Sequence, residues 1–320
     1  MLKKLKQDSL QAEASSLESL AAKARRVGDI VAARQLSKRL DRVRHELTDL
    51  GVEGATSASV GIFFSGAPVL GSKGIKSEFA GHALENFQDL VSKHFATMER
   101  GDLGERGPVP VRPATDLMVT DVVRGSFGFV LEEADEQQQA IRTALADALQ
   151  GVTVLVTNLA SPQIEVFDEA AAEASPRVLA AARKFFKTLA DAGAAVRIVE
   201  GDRDQQFSVE TLRRARDRAE ETEVTERDDV ELTGRLAGLT PHGRRFDFEP
   251  RGDANQVISG TIAREVAQAF IDQLNLPGFD DPIGKTWRAR FRVREVTHRN
   301  GNSRRFYTLL GLLEQLANPA

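Results

Sequence analysis

The sequence predicts an α+β protein in three parts: an N-terminal helical hairpin or short coiled coil, a central α+β domain, and a C-terminal small β-barrel. Three observations carry that reading. Apolar residues step by threes and fours through residues 2–50, which is helical spacing. Strand-like and helix-like segments alternate between residues 60 and 225. From residue 230 to 316 the chain turns to short strands interrupted by one helix. The expected boundaries are therefore 1–50 for the hairpin, 51–59 for a linker, 60–225 for the central domain and 230–316 for the barrel.

The N-terminal part shows two stripes, Leu17, Leu20, Ala24, Val27 and Val31, then Leu36, Leu40, Val43, Leu47 and Leu50. They lose phase at "VGDIV", where Gly28 can end one helix and Asp29 can cap the next. The stretch "ARRVGDIVAARQLSKRL" resembles the turn and second helix of a tetratricopeptide repeat. Such repeats bury a core only when stacked, and no second copy follows, so the resemblance implies a helical hairpin and nothing more. Two stripes of this length predict association, with a second copy or with a protein partner, through residues 1–50.

"GVEGATSAS" is small and polar, as a linker is. "VGIFFSGAPVLGS" predicts a buried strand, a turn and a second strand, and "SEFAGHALENFQDLVSKHFATM" a helix. "RGDLGERGPVPVRPA" is a Gly/Pro loop. "DLMVTDVVRGSFGFVLEE" predicts two strands about "RGS", followed by a helix in "DEQQQAIRTALADALQ". Helix dominates 162–192, with Pro176 opening a fresh one. "AAVRIVEGDRDQQFSV" returns to strand, and a charged helix runs through "ETLRRARDRAEETE". After it "VELTGRLAGLTP", "RRFDFEP" and "QVISGTI" predict three strands and "AREVAQAFIDQL" a helix. "TWRARFRVREVTH" and "SRRFYTLLGLLE" then predict a closing hairpin. This order and size resemble an OB-fold barrel, an arrangement that other small barrels with a helical insert share.

Composition narrows the function classes. Apolar residues make up 41% and charged residues 28%, which excludes wholesale disorder. The net charge of −4 argues against a generic polyanion binder. The charge is uneven, however: residues 200–230 carry a net −5, whereas 285–305 hold eight basic side chains against one acidic. A local basic patch in an acidic chain predicts a directed contact. The chain has no cysteine, which removes thiolate chemistry and cysteine-held zinc. Residues 1–10 lack the apolar core of a secretion signal. No run approaches the roughly 20 apolar residues of a membrane span. A cytoplasmic protein without membrane contact is expected.

The strongest functional pointer is "GKTWRARFRVREVTHRNGNSRRFY", with seven arginines and the only Trp and Tyr of the chain. In a strand, Trp287, Ala289, Phe291 and Val293 point one way and Arg288, Arg290, Arg292 and Arg294 the other. Asn300-Gly301 is a strong two-residue turn signal. That turn sets Arg294 opposite Tyr307 and Val296 opposite Arg305, placing Arg305 and Tyr307 on the arginine face. A row of like charges repels, so acidic neighbours such as Asp247 or Glu249, an acidic partner or phosphates must offset it, unless the strand is simply solvated or is neutralised by the acidic 200–230 segment. Arginine's planar fork suits phosphate, and a cationic barrel face bearing an aromatic suits single strands.

Other constellations are weaker. "GFDDPIGKTW" misses the spacing of a phosphate loop and leads into a strand instead of a helix. Ser72, Lys73 and Gly74 in "VLGSKGIKS" could cradle an anion, although a plain glycine turn explains them as well. The five histidines show no metal-binding spacing, and neither metal nor cofactor is implied. Asp247 and Glu249 share a strand face, which the alternation of Phe246 and Phe248 already explains. The expected function is a non-enzymatic nucleic-acid-binding protein, single strands favoured, with helices for association. The alternative is a protein-interaction subunit of a multicomponent bacterial assembly, its arginine face docked on an acidic partner. A third reading is an enzyme with a central site near Ser72, Lys73 and His82.

Overall fold

The computed structural model describes residues 3–52, 57–71, 73–101, 107–109, 112–123, 127–134, 143–252, 257–274 and 280–317. The middle of the linker, Ser72, most of the Gly/Pro loop, the "RGS" turn and the "DEQQQAIR" stretch lie outside them. The chain is mixed α+β and divides into two units. The first holds Met1–Phe167 and Ala174–Glu220, and the second Asp168–Glu173 and Glu221–Ala320.

The first unit opens with the helices α1 (Lys3–Val27) and α2 (Ile30–Val52). Leu10, Ala14 and Leu17 of α1 bury against Leu40 and Val43 of α2, with Leu36 and Leu47 at the margin. The turn between them works as its residues suggest. Gly28 takes φ +82°, a conformation open to glycine, and the Asp29 carboxylate accepts the Ala32 N–H at 2.9 Å.

Five antiparallel strands follow: β1 (Ser59–Gly66), β4 (Leu117–Val123), β5 (Phe127–Glu133), β6 (Ala194–Glu200) and β7 (Arg203–Phe207), in the order β4-β5-β1-β6-β7. β2 (Val69–Leu70) and β3 (Gly74–Ile75) form a small separate pair. Central β1 buries side chains of both faces: Ile62, Phe63 and Phe64 are buried in succession. Phe63 lies against Val130 and Val199, in space left by Gly128, where a Cβ would strike the Phe63 ring. Edge strand β4 is mostly exposed.

The other helices of this unit are α3 (Ser77–Arg100), α4 (Ala144–Leu159), α6 (Pro176–Asp191), α7 (Val209–Glu221) and the first residues of α5 (Ile164–Glu173). Phe87, Leu90, Leu149, Val152, Phe185 and Phe186 are fully buried among them. Their starts carry standard caps. Thr143 accepts the Ala146 N–H ahead of α4, and Ser175 accepts the Val178 N–H ahead of α6, with Pro176 in its first turn. Such caps contribute about 1 kcal/mol each.

The second unit is a sheet of five strands that closes on itself: β8 (Thr222–Thr240), β9 (Arg245–Pro250), β10 (Ile258–Ile262), β11 (Thr286–His298) and β12 (Ser303–Leu316). Its order is β10-β12-β11-β8-β9, closing back from β9 to β10. All pairs are antiparallel except β10 with β12. The helix α8 (Arg264–Leu274) joins β10 to β11. Phe246, Phe248, Phe291, Leu236, Ile262 and Leu309 fill the ring. At Gly260 a Cβ would meet the Tyr307 carbonyl and the Phe246 ring, so a glycine is needed where β10 closes on β12.

Candidate binding face on the ring

β11 alternates as its sequence dictates. Ala289 and Phe291 are fully buried and Val293 nearly so, which turns Arg288, Arg290, Arg292 and Arg294 to the outer face. Their side-chain exposure falls along the strand, 47%, 43%, 26% and 9%. The arginines thus grade from a solvated end to a buried one.

Each of the four meets a carboxylate of its own chain. Arg288 lies 3.3 Å from Glu314 on β12 and 3.9 Å from Glu231 on β8. Arg290 lies 3.5 Å from Asp229. Arg292 donates to Asp228 at 2.6 Å and sits 3.7 Å from Glu226. Arg294 donates to Glu226. A bulge in β8 arranges this. Val230 pairs with Phe291 and Arg227 with Val293, so Asp228 and Asp229 together stand opposite Arg292. Asp229 takes φ +61°, a left-handed conformation that Asp tolerates better than most residues. The extra residue lets two neighbouring carboxylates serve two arginines.

Arg294 does more than pair. Its Nη1 donates to the Ala172 carbonyl at 2.8 Å and to that of Glu173 at 3.2 Å. These are the last carbonyls of α5, where a cation satisfies orphan acceptors and the helix dipole. Beside it His298 Nε2 bonds Asp168 Oδ1 at 2.8 Å, and Nδ1 bonds the Thr222 hydroxyl at 3.1 Å. Carboxylate, imidazole and hydroxyl in series are the parts of an acyl-transfer relay. Here Asp168 is 1% and Thr222 4% exposed, so a substrate has no approach to the hydroxyl. The chain of bonds holds the start of β8, the end of β11 and residues 168–173 together.

Arg305 and Tyr307 are not on this face. The turn after β11 has three residues, Arg299, Asn300 and Gly301, closed by His298 N–H to Asn302 O at 2.9 Å, with Gly301 at φ +84°. The extra residue shifts the pairing by one, so Glu295 faces Arg305 and Val293 faces Tyr307. A one-residue shift exchanges the two faces of a strand. Tyr307 therefore packs inward, edge-on to Phe291 at 6.4 Å, and Arg305 lies 3.4 Å from Glu295. The outer positions belong to Phe306 and Arg304, whose guanidinium stands 5.8 Å from the Phe306 ring.

The remaining candidates are ordinary. Lys73 donates its N–H to Leu70 and Gly74 pairs with Leu70 across β2 and β3, so this turn uses its own amides. Ser72 lies outside the described residues. Asp247 accepts from Ser259 at 2.5 Å. Glu249 takes both arms of Arg235 at 2.7 and 2.8 Å, and that hydrogen-bonded guanidinium pulls the Glu249 carboxyl below its usual range. Among the described residues no group of side chains has the geometry of a metal site. No described helix is long and apolar enough to cross a membrane. Comparison with protein families, curated proteins and solved structures finds no match.

Proposed function

We propose that the protein is a non-enzymatic interaction subunit: the hairpin of residues 1–50 engages a protein partner, and the ring is an OB-like barrel that meets protein instead of nucleic acid. The OB-like reading draws support from the strand order, the single parallel pair and the helix between the third and fourth strands, which resemble that fold. The observation that carries the choice of partner is the carboxylate beside each β11 arginine. A phosphate would have to displace those carboxylates, and counterion release, the main source of single-strand affinity, would be reduced accordingly.

Nucleic acid remains the second reading because one end of the β11–β12 hairpin is basic and solvated. Arg299, Arg304 and Arg305 have side chains 80%, 47% and 60% exposed. The two readings separate in one experiment on the full-length protein purified from its own cells, with and without nuclease. A protein that co-purifies in fixed ratio and survives nuclease supports the interaction subunit. Loss of every partner on nuclease treatment, with steep salt dependence of oligonucleotide binding, overturns it.

A further inference from the structure

The hairpin uses most of its apolar stripe on itself; Leu20 is 48% exposed, and the tip is more exposed still. Val27, Ile30 and Val31 are 77%, 80% and 69% exposed, three branched aliphatic side chains within five residues. Single exposed apolar residues are common, whereas a cluster marks a contact. Around them stand Lys23, Arg25, Arg26 and Arg34, all exposed. The one carboxylate among them, Asp29, is occupied in capping α2. Arg25 reaches across to the Ser37 hydroxyl at 3.1 Å. With Ser37 it borders a shallow, open hollow of about 420 Å³ that Gly28, Ile30, Ala33 and Arg34 also line. At Gly28 a Cβ would meet nothing within 4 Å, so the mouth is open.

We infer that the hairpin tip is a docking site for an acidic protein segment. The segment seats a branched aliphatic side chain in the hollow and sets carboxylates against Arg25, Arg26 and Arg34. The inference rests on the protein-interaction reading and gives it a location and a partner chemistry. The tip's charge selects an acidic occupant, since a basic one would be repelled. The exposed Val27, Ile30 and Val31 beside this shallow depression favour an aliphatic side chain over a phosphate backbone, which has nothing apolar to cover them. A bilayer would call for an apolar stripe along the helices, and Leu10, Leu17, Leu40 and Val43 are already buried between them.

The test pans a phage-displayed random peptide library on the immobilised full-length protein. Enriched peptides are then measured by fluorescence anisotropy against wild type, Ile30→Glu/Val31→Glu and Arg26→Glu/Arg34→Glu, with circular dichroism confirming each fold. The expected result is a set of peptides sharing an Ile, Leu or Val flanked by Asp or Glu. Either double variant should weaken their binding by about tenfold or more, and salt should weaken it in wild type. Three results would overturn the inference: no enrichment, enriched peptides without acidic residues, or equal binding to the tip variants. The last would leave a protein-interaction surface elsewhere and remove only the tip. Wild-type binding to vesicles of equal parts phosphatidylcholine and phosphatidylserine, lost in the variants, would overturn it in favour of a membrane.

Discussion

The imidazole Nε2 of His94 on α3 occupies the space where a side chain at Gly151 on α4 would begin. The two helices approach closely because one supplies a ring and the other supplies no Cβ. Gly151 would otherwise weaken α4, since glycine within a helix costs up to about 1 kcal/mol relative to alanine.

The pair predicts a double-mutant cycle. Gly151→Ala should destabilise the wild type by ~1–3 kcal/mol through overpacking. In a His94→Ala background the same change should be neutral or stabilising, because the helix gains and the ring is gone. Denaturant melts of the four proteins measure the coupling. Equal effects of Gly151→Ala in both backgrounds would contradict the contact.

His94 also predicts a pH dependence. Burial lowers its pKa from 6.5 to about 4. On acidification the unfolded chain takes the proton first, so the unfolded state gains. The stability is complete above pH ~6.5 and is lost progressively as pH falls toward ~4, by ~3 kcal/mol in all. Urea unfolding of wild type and His94→Gln at about pH 7 and about pH 4.5 isolates this residue from the carboxylates. The variant should lose less stability between the two, and parallel losses would count against the burial.

The gradient of burial along β11 predicts unequal costs for the same substitution. Arg294→Met removes the nearer cation of Glu226, leaving it Arg292 at 3.7 Å, and takes the buried guanidinium from the Ala172 and Glu173 carbonyls, so it should cost about 3 kcal/mol. Arg288→Met, at the solvated end, should cost no more than ~1 kcal/mol. Chemical denaturation of both variants decides. Similar small losses would mean that Arg294 is not the cap of α5.

Much of this could be read from the sequence, and the misses have physical causes. The helical pair, the mixed α+β class and the inward alternation of Ala289, Phe291 and Val293 follow from periodicity. The turn after β11 does not. Asn-Gly favours a two-residue turn, but the Arg299 N–H donates to the Glu221 carbonyl, which lengthens the β8 ladder and draws one more residue into the turn. The faces of Arg305 and Tyr307 exchange as a result. The acidic 200–230 segment is legible as a neutraliser of the arginine strand, but its pairing with β11 is not. Glu226, Asp228 and Asp229 lie ahead of the expected strand at 230, in a segment whose acidic residues disfavour strand. Pairing with β11 overrides that preference and extends β8 back to Thr222. His298 gave no signal, because Asp168 and Thr222 are far from it in sequence. In the hairpin the two stripes are largely used on each other, which confines the exposed apolar cluster to the tip.

Carboxylates of the same chain compensate the ring's arginines, and oligonucleotide binding reports that compensation. Fluorescence anisotropy with a labelled oligothymidine, at low and at physiological salt, compares wild type with Glu226→Gln/Asp228→Asn/Asp229→Asn. Asn at position 229 keeps the left-handed backbone accessible, and circular dichroism confirms the fold. Wild type should bind weakly or not at all. The neutralised variant should gain binding that falls with salt, with a slope of about 0.7 per phosphate contact. Wild-type binding as tight and as salt-dependent as the variant's would contradict the account, and would return the arginine face to nucleic acid.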